Sequence, residues 1–303
     1  MQVNLPPSTP GRCLITGIGG FTGLYLAQEL QAAGYEVFGT AHEASPLPKR
    51  VYSVDLNDLA GLRAVIKAVR PDVVVHLAAI AFVAHGDVEA IYRTNVNGTR
   101  NLLQALAESD QVPRAVLLAS SANIYGNSLA DPIREHDAAA PESDYAVSKI
   151  AMEYMARLWN ARLPITIVRP FNYTGAGQAP NFLVPKIVSH FKQRASRIEL
   201  GNLDVERDFS DVRCVVTAYR RLLDNPAPGQ TFNICSGRVS SLRDIVATLE
   251  RLAGYTIEVS VNPAFMRPNE VKRLVGSNAK LIAAIGELPA IVLPDTLRWM
   301  LQA

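Results

Sequence analysis

Residues 12–23 read Arg12-Cys13-Leu14-Ile15-Thr16-Gly17-Ile18-Gly19-Gly20-Phe21-Thr22-Gly23. An apolar run of strand length passes without a break into a glycine-rich turn, and a helical pattern begins inside that turn. Gly17, Gly20 and Gly23 are spaced three apart, which allows a tight turn and a close approach of backbone to a pyrophosphate. The phosphate charge then meets the free N–H groups of a helix N-terminus. A glycine turn can also serve only to pack helix on strand. Three glycines directly after the first strand and at the correct helix favour the phosphate cradle.

Working outward, short runs rich in Val, Ile and Leu recur at residues 12–16, 36–40, 51–55, 73–78, 115–120 and 165–169, as expected of strands covered on both faces. Stretches 21–33, 59–69, 88–108 and 144–161 carry apolar residues at three- and four-residue spacing and fill the gaps as helices. Pro71, Pro113 and Pro164 each fall where a helix yields to a strand. The fold class is therefore α/β, a Rossmann-type doubly wound parallel sheet. After Asn172 the alternation stops, and proline clusters at 226–228, 263–268 and 289–294 separate mixed short elements, which predicts a second, smaller α+β domain. Residues 211–223 read as a helix and 230–234 as a strand, so the chain returns to the first domain. The expected division is 1–172 plus 207–238 for the dinucleotide and 173–206 plus 239–303 for the substrate. No segment repeats at a fixed period.

Composition narrows the class. The chain has 303 residues, 49% hydrophobic and 19% charged, with a formal net charge of +2, the usage of a folded globule rather than a disordered or disulfide-scaffold chain. No block of like charge supports a nucleic-acid partner. Cys13, Cys214 and Cys235 are far apart and lie outside metal-ligand spacing, so they read as buried thiols and no metal is expected. The start lacks a basic patch followed by an apolar stretch, and the glycine-filled run 13–27 is too short to span a bilayer. The expectation is a cytoplasmic protein with no membrane partner.

An acidic residue at the end of the second strand would bind a free ribose 2′-hydroxyl. Here the residues are Thr40-Ala41-His42, with Glu43 slightly too late, which favours NADP(H), NAD(H) being the alternative. Asp55, at the end of the third strand, is suited to accept from the adenine amine or to cap the next helix.

Tyr145 and Lys149 are four apart in a helical stretch, so both project from one face. A phenol titrates near 10, and a neighbouring ammonium stabilises phenolate, so the pair is expected to lower the Tyr145 pKa toward the working range. Ser121, at the end of the fifth strand, lies where its hydroxyl can steady an oxyanion formed on reduction. Tyr-x-x-x-Lys alone is a weak signal, and the preceding serine and glycine turn supply its weight.

Thr16-Gly17-x-x-Gly20-Phe21-x-Gly23, His76-Leu77-Ala78-Ala79, Asn95-Val96-x-Gly98-Thr99, Ser120-Ser121 leading to Ile124-Tyr125-Gly126, Tyr145-x-x-x-Lys149 and Arg169-Pro170-Phe171-Asn172 resemble the extended short-chain dehydrogenase/reductases. That is the family of nucleotide-sugar epimerases, dehydratases and reductases, and the resemblance covers nearly the whole chain. It implies Ser121, Tyr145 and Lys149 as the catalytic set. It implies Gly17, Gly20, Phe21, Thr22, Gly23, Asp55, Leu56, Ala78, Ala79 and Asn95, with Tyr145 and Lys149, along the cofactor. Asn172 is implied near the sugar and its phosphates, and Asn95 and Arg169 are equally read as structural.

What is missing narrows the member. A 4,6-dehydratase needs a carboxylate base near the sugar, two places after the catalytic Thr or Ser in those relatives, and here that residue is Asn123. The fucose-type epimerase/reductases use a Cys there and a His before a Val-Ile-Pro run, and this chain has Asn123 and, before Leu183-Val184-Pro185, Phe182. A 4-epimerase needs neither and stays a rival. Asn181-Phe182 with Lys186, Gly201-Asn202-Leu203-Asp204 leading to Arg207-Asp208-Phe209, and Arg267-Pro268-Asn269-Glu270-Val271 resemble the substrate-domain motifs of GDP-mannose-type enzymes. The resemblance places Arg207 and Arg267 on a pyrophosphate, Lys186 on a base carbonyl and Glu270 on a ribose hydroxyl, with Asn181 beside them. Cys214 stands where relatives often have Asp.

The expected activity is NAD(P)H-dependent reduction of the C4 ketone of GDP-4-keto-6-deoxy-D-mannose to GDP-D-rhamnose. The alternatives are a 4-epimerase holding NAD and a GDP-mannose 4,6-dehydratase. The expected partners are the GDP-linked 4-keto-6-deoxy sugar and a second copy, joined through helices 88–108 and 144–161, with Met152, Met155 and Leu158 in the interface.

Overall fold

The computed structural model describes residues 10–42, 49–81, 87–265 and 271–303. In chain order the elements are β1 (Arg12–Thr16), α1 (Phe21–Ala32), β2 (Glu36–Ala41), β3 (Val51–Ser53), α2 (Leu59–Val69), β4 (Val73–His76), α3 (Val88–Tyr92), α4 (Thr99–Ala107), β5 (Ala115–Ala119), α5 (Asp144–Arg157) and β6 (Ile165–Pro170). They are followed by β7 (Asn172–Thr174), α6 (Leu183–Lys192), β8 (Arg197–Leu200), β9 (Glu206–Asp211), α7 (Val212–Asp224), β10 (Thr231–Ile234), β11 (Val239–Ser241), α8 (Leu242–Ala253), β12 (Glu258–Val261), β13 (Arg273–Leu274), α9 (Ala279–Ile285) and α10 (Leu293–Gln302).

Seven parallel strands form the central sheet in the order β10-β6-β5-β4-β1-β2-β3. Alternate side chains explain why both faces are covered. Cys13, Ile15, Val73, Val75, Ala115 and Leu117 enter one core with α1 and α7, whereas Leu14, Val74, Val116 and Leu118 enter the other with α2, α4 and α5. Val73, Val74 and Val75 are all solvent-excluded, and each such side chain contributes about 1.5–3 kcal/mol by burial. Strand order reverses between β1 and β4, which opens a crevice at the carboxyl ends of the strands.

A separate core brings together Val184, Ile187, Phe191, Leu200, Leu249, Leu297 and Met300 from α6, β8, α8 and α10. Beside it, β9 pairs with β7, β11 and β13, and β8 pairs with β12. Three elements of the distal half join the central sheet's layers: β10 is its edge strand, α7 covers one face beside α1, and α9 packs on β10 and α7.

Boundaries differ from expectation at the crevice. β3, β4 and β5 end at Ser53, His76 and Ala119 rather than at 55, 78 and 120, because the chain turns away where the ladder stops. The expected helix 88–108 is α3, a π-helical turn at Arg93–Gly98, and α4. That turn brings Gly98 so close to Leu56 that a β-carbon would lie 2.7 Å from the Leu56 Cβ. The helix expected over 144–161 ends at Arg157. No helix of the described residues is long and apolar enough to cross a membrane.

Candidate active site

The crevice is a cleft of about 420 Å³ between the glycine turn, the ends of β4, β5 and β6, α5 and the segment before α6. Gly17, Gly20, Phe21, Thr22, Gly23, Ala79, Ser121, Tyr145, Lys149 and Asn172 line it, so ten of the sequence-derived candidates meet at one place. At its floor the glycine turn fits a pyrophosphate. A β-carbon on Gly23 would lie 2.4 Å from the Gly17 carbonyl oxygen, and the first turn of α1 is capped by no side chain, leaving its N–H groups for an anion.

At the opposite wall, helix α5 is tied to the end of β5. Ser143 caps α5 by accepting from the Ala146 N–H at 3.3 Å. Ser121 accepts from the Asn123 N–H at 3.1 Å and shares a hydrogen bond with the Tyr145 phenol. Lys149 Nζ donates to the Ala119 carbonyl at 2.9 Å and lies 6.0 Å from the centre of the Tyr145 ring.

The expected depression of the Tyr145 pKa is not found. Burial pushes the phenol up to about 12, against a lowering contribution from the Ser121 hydrogen bond, and the Lys149 ammonium is spent on a backbone carbonyl. Burial also brings Lys149 down to about 8, opposed by the carboxylate of Glu153. The phenol is thus a proton-holding acid near neutral pH and not a poised base.

Other candidates lie elsewhere. Asn95 is buried, its Oδ1 accepting from the Ile80 N–H at 2.9 Å and its Nδ2 donating to Ser148 Oγ at 3.0 Å, so it braces the wall and does not line the cleft. Ala78, Leu56 and Asp55 also lie off the lining; Asp55 accepts from the Asn57 N–H and Nδ2, and α2 is capped by Asp58 instead. Lys186 donates to the Glu199 carbonyl at 2.9 Å and sits 4.2 Å above the Phe265 ring centre. Arg207 donates to the carbonyls of Glu206, Val271 and Lys272. Both cations are therefore engaged with the chain itself. Asn181 is exposed beside Phe182, which does line the cleft. Glu43, Arg267 and Glu270 lie outside the described residues.

Cys13 and Cys235 are buried, whereas Cys214 is only half-buried and donates to the Pro289 carbonyl; its helix is capped by Asp211. Met152 is wholly enclosed in the core beneath the sheet, so it is not an interface residue as expected, while Leu158 is 82% exposed.

Sequence reading missed Tyr173, Gln178 and Tyr219 on the cleft wall. Tyr173 stacks on Phe21 and its hydroxyl lies 2.7 Å from Thr22 Oγ1, joining β7 to the glycine turn across 151 positions. No local pattern signals such a pair. Among the described lining residues there is no Asp, Glu or His.

Comparison with known proteins accords with this site. A GDP-6-deoxy-D-talose 4-dehydrogenase of Aggregatibacter actinomycetemcomitans is 34% identical over 91% of this chain and 91% of that protein. A GDP-6-deoxy-D-mannose reductase of Pseudomonas aeruginosa is 35% identical over 96% of each. Among solved structures, a Burkholderia cenocepacia J2315 protein provisionally designated an epimerase shares 53% identity and a TM-score of 0.92 over 97% of this chain and 98% of its own. RMD of Pseudomonas aeruginosa in complex with NADPH shares 34% and 0.85 over 96% and 97%. The profile of the GDP-mannose 4,6 dehydratase family matches residues 14–300, and the chain belongs to that family.

Proposed function

We propose that the protein is an NADPH-dependent reductase of the C4 ketone of GDP-4-keto-6-deoxy-D-mannose, giving GDP-D-rhamnose. The observation that carries this reading is the cleft itself, which offers an acid phenol and an ammonium but, among its described lining, no carboxylate or imidazole. A 4,6-dehydratase must take a proton from C5 and needs such a base; Asn123, on the cleft wall where the base would stand, cannot act as one. Reduction needs only a hydride and a proton.

NADPH supplies the hydride when bound. The Tyr145 phenol gives its proton to the C4 oxygen as the alkoxide forms, and Ser121 Oγ, fixed by the Asn123 N–H, holds that oxygen. Lys149 places positive charge beneath the phenol and faces the nicotinamide ribose. Gly17, Gly20, Thr22 and Gly23 cradle the pyrophosphate, and exposed His42, the residue after β2 and 3.9 Å from Asp55, is the candidate partner of a 2′-phosphate. Asn172 and Phe182 face the sugar.

The two named relatives support a GDP-6-deoxyhexose substrate, and their sugars differ in configuration at C4. A GDP-6-deoxy-D-talose product is thus the second reading. The substrate lobe, 173–206 plus 239–303, has its own core to clamp the nucleotide, with α9 returning to the sheet. Homodimerisation through α3, α4 and α5 is supported by the exposed Val88, Val147, Tyr154 and Leu158. Free thiols at all three cysteines suit a reducing cytoplasm.

The test is incubation with GDP-4-keto-6-deoxy-D-mannose and NADPH, followed by loss of nicotinamide absorbance and NMR of the product. Stoichiometric NADPH consumption with an equatorial C4 hydroxyl is expected. Stoichiometric consumption with an axial C4 hydroxyl indicates the 6-deoxy-D-talose product. Interconversion of GDP-D-rhamnose with its C4 epimer without net NADPH consumption indicates the epimerase, and dehydration of GDP-mannose itself indicates the dehydratase.

A further inference from the structure

We propose that Glu153 is a positioning residue of this reaction, locking the end of β5 against α5 and serving as the counter-charge of Lys149. The proposal uses the site geometry, and only its kinetic arm rests on the reductase reading above.

Tyr145, Lys149 and Glu153 follow one another at four-residue steps along one face of α5. Each engages a different one of three consecutive residues at the end of β5: Tyr145 with Ser121, Lys149 with the Ala119 carbonyl, and Glu153 with Ser120 Oγ at 2.6 Å. Glu153 has no exposed surface, an unusual place for a lone carboxylate. It is neutralised by Arg169 on β6, which donates from Nε to Oε1 at 2.9 Å and from Nη2 to Oε2 at 2.6 Å. Arg169 is in turn fixed by the Tyr125 hydroxyl at 2.8 Å and the Glu135 carbonyl at 2.9 Å. A buried pair of this kind is weak evidence for stability, since apolar residues of like volume would serve as well. Here its surroundings point to the site: it braces the residues on either side of the oxyanion-holding serine.

The charged groups around Lys149 are few. Glu153 follows it on α5, His76 on β4 is buried and neutral, and Arg169 lies beyond Glu153. Arg157, 4.0 Å from Glu153, is half-exposed. Glu153 is therefore the one anion among the described residues that keeps the buried ammonium protonated near pH 8.

The experiment compares wild type, Glu153→Gln and Glu153→Gln with Arg169→Gln, the last stranding no buried charge should the single variant not fold. Lysine NMR titration of Lys149 in the NADPH-bound protein and the pH profile of kcat are recorded together. The expected result is a Lys149 midpoint lower by at least one unit and an alkaline limb of kcat moved down with it. Loss of packing alone lowers the rate at every pH without moving either. A midpoint unmoved in the folded variants overturns the proposal, whatever the substrate proves to be. Ser120→Ala, which leaves the ion pair intact, forms a third arm. It is expected to lower kcat about tenfold with the midpoint held, and an unchanged kcat overturns the positioning role.

Discussion

Thr16 Oγ1 and His76 Nδ1 lie 2.7 Å apart at the carboxyl ends of adjacent strands β1 and β4, and the other ring nitrogen lies 2.8 Å from Thr99 Oγ1. Thr99 gives its own hydroxyl proton to the Asn95 carbonyl at 2.7 Å, so it must accept from His76 Nε2–H, which leaves Nδ1 to accept from Thr16. The imidazole is thereby held neutral in one tautomer, and burial together with the Lys149 ammonium brings its pKa to about 3.

Acid stability follows from that pair. An unfolded histidine takes its proton near pH 6.5 and the folded one only near 3, so the unfolded chain binds more protons across this window and stability falls as pH falls through it. At pH 4.5 the expected loss is about 3 kcal/mol relative to pH 7.5 from this group alone. Urea unfolding at the two pH values checks it: His76→Gln is expected to show a shallower acid dependence, and parallel curves for the two proteins would contradict the assignment.

Gly23→Ala puts a methyl group against the Gly17 carbonyl. The turn must open, and NADPH affinity is expected to fall by at least about tenfold, equivalent to ~1.4 kcal/mol. Fluorescence titration of NADPH measures this, with the unfolding midpoint as control for a global loss of about 1–3 kcal/mol.

Tyr145→Phe removes the acid while keeping the ring that fills the cleft wall. Turnover with the ketosugar is expected to drop by about 10²–10⁴ and the Kd for NADPH to stay within about twofold. Near-normal turnover would assign the proton to another group.

Leu158→Asp places a charge at the C-cap of α5, on a side chain that is 82% exposed. Sedimentation of wild type at micromolar concentration is expected to give roughly twice 32.9 kDa, and the variant 32.9 kDa. A wild-type monomer refutes the interface.

Much of this molecule is legible from local pattern. The strand runs are continuous because both sheet faces are covered, and the four-residue spacing of Tyr145 and Lys149 survives as a shared face because α5 is regular there. What pattern hides is the direction in which a polar side chain is spent. Glu153 looks like a solvated helix charge until Arg169 is seen opposite it, sixteen positions on. Lys186 and Arg207 look like ligand cations, but carbonyls of neighbouring loops satisfy them. Met152 and Leu158 are both apolar, and only the packing distinguishes which faces the sheet. The π-helical turn at Arg93–Gly98 ends on a glycine packed against Leu56, a contact distant in sequence.

The three linked side chains of α5 also set a phase tolerance for the chain. Each residue advances an α-helix by about 100°, so one residue inserted between Tyr145 and Glu153 swings the later partners a quarter-turn or more from the strand end they grip. The helix stops at Arg157, but within those nine positions a single added or lost residue puts at least one of acid, cation and brace out of phase with the others.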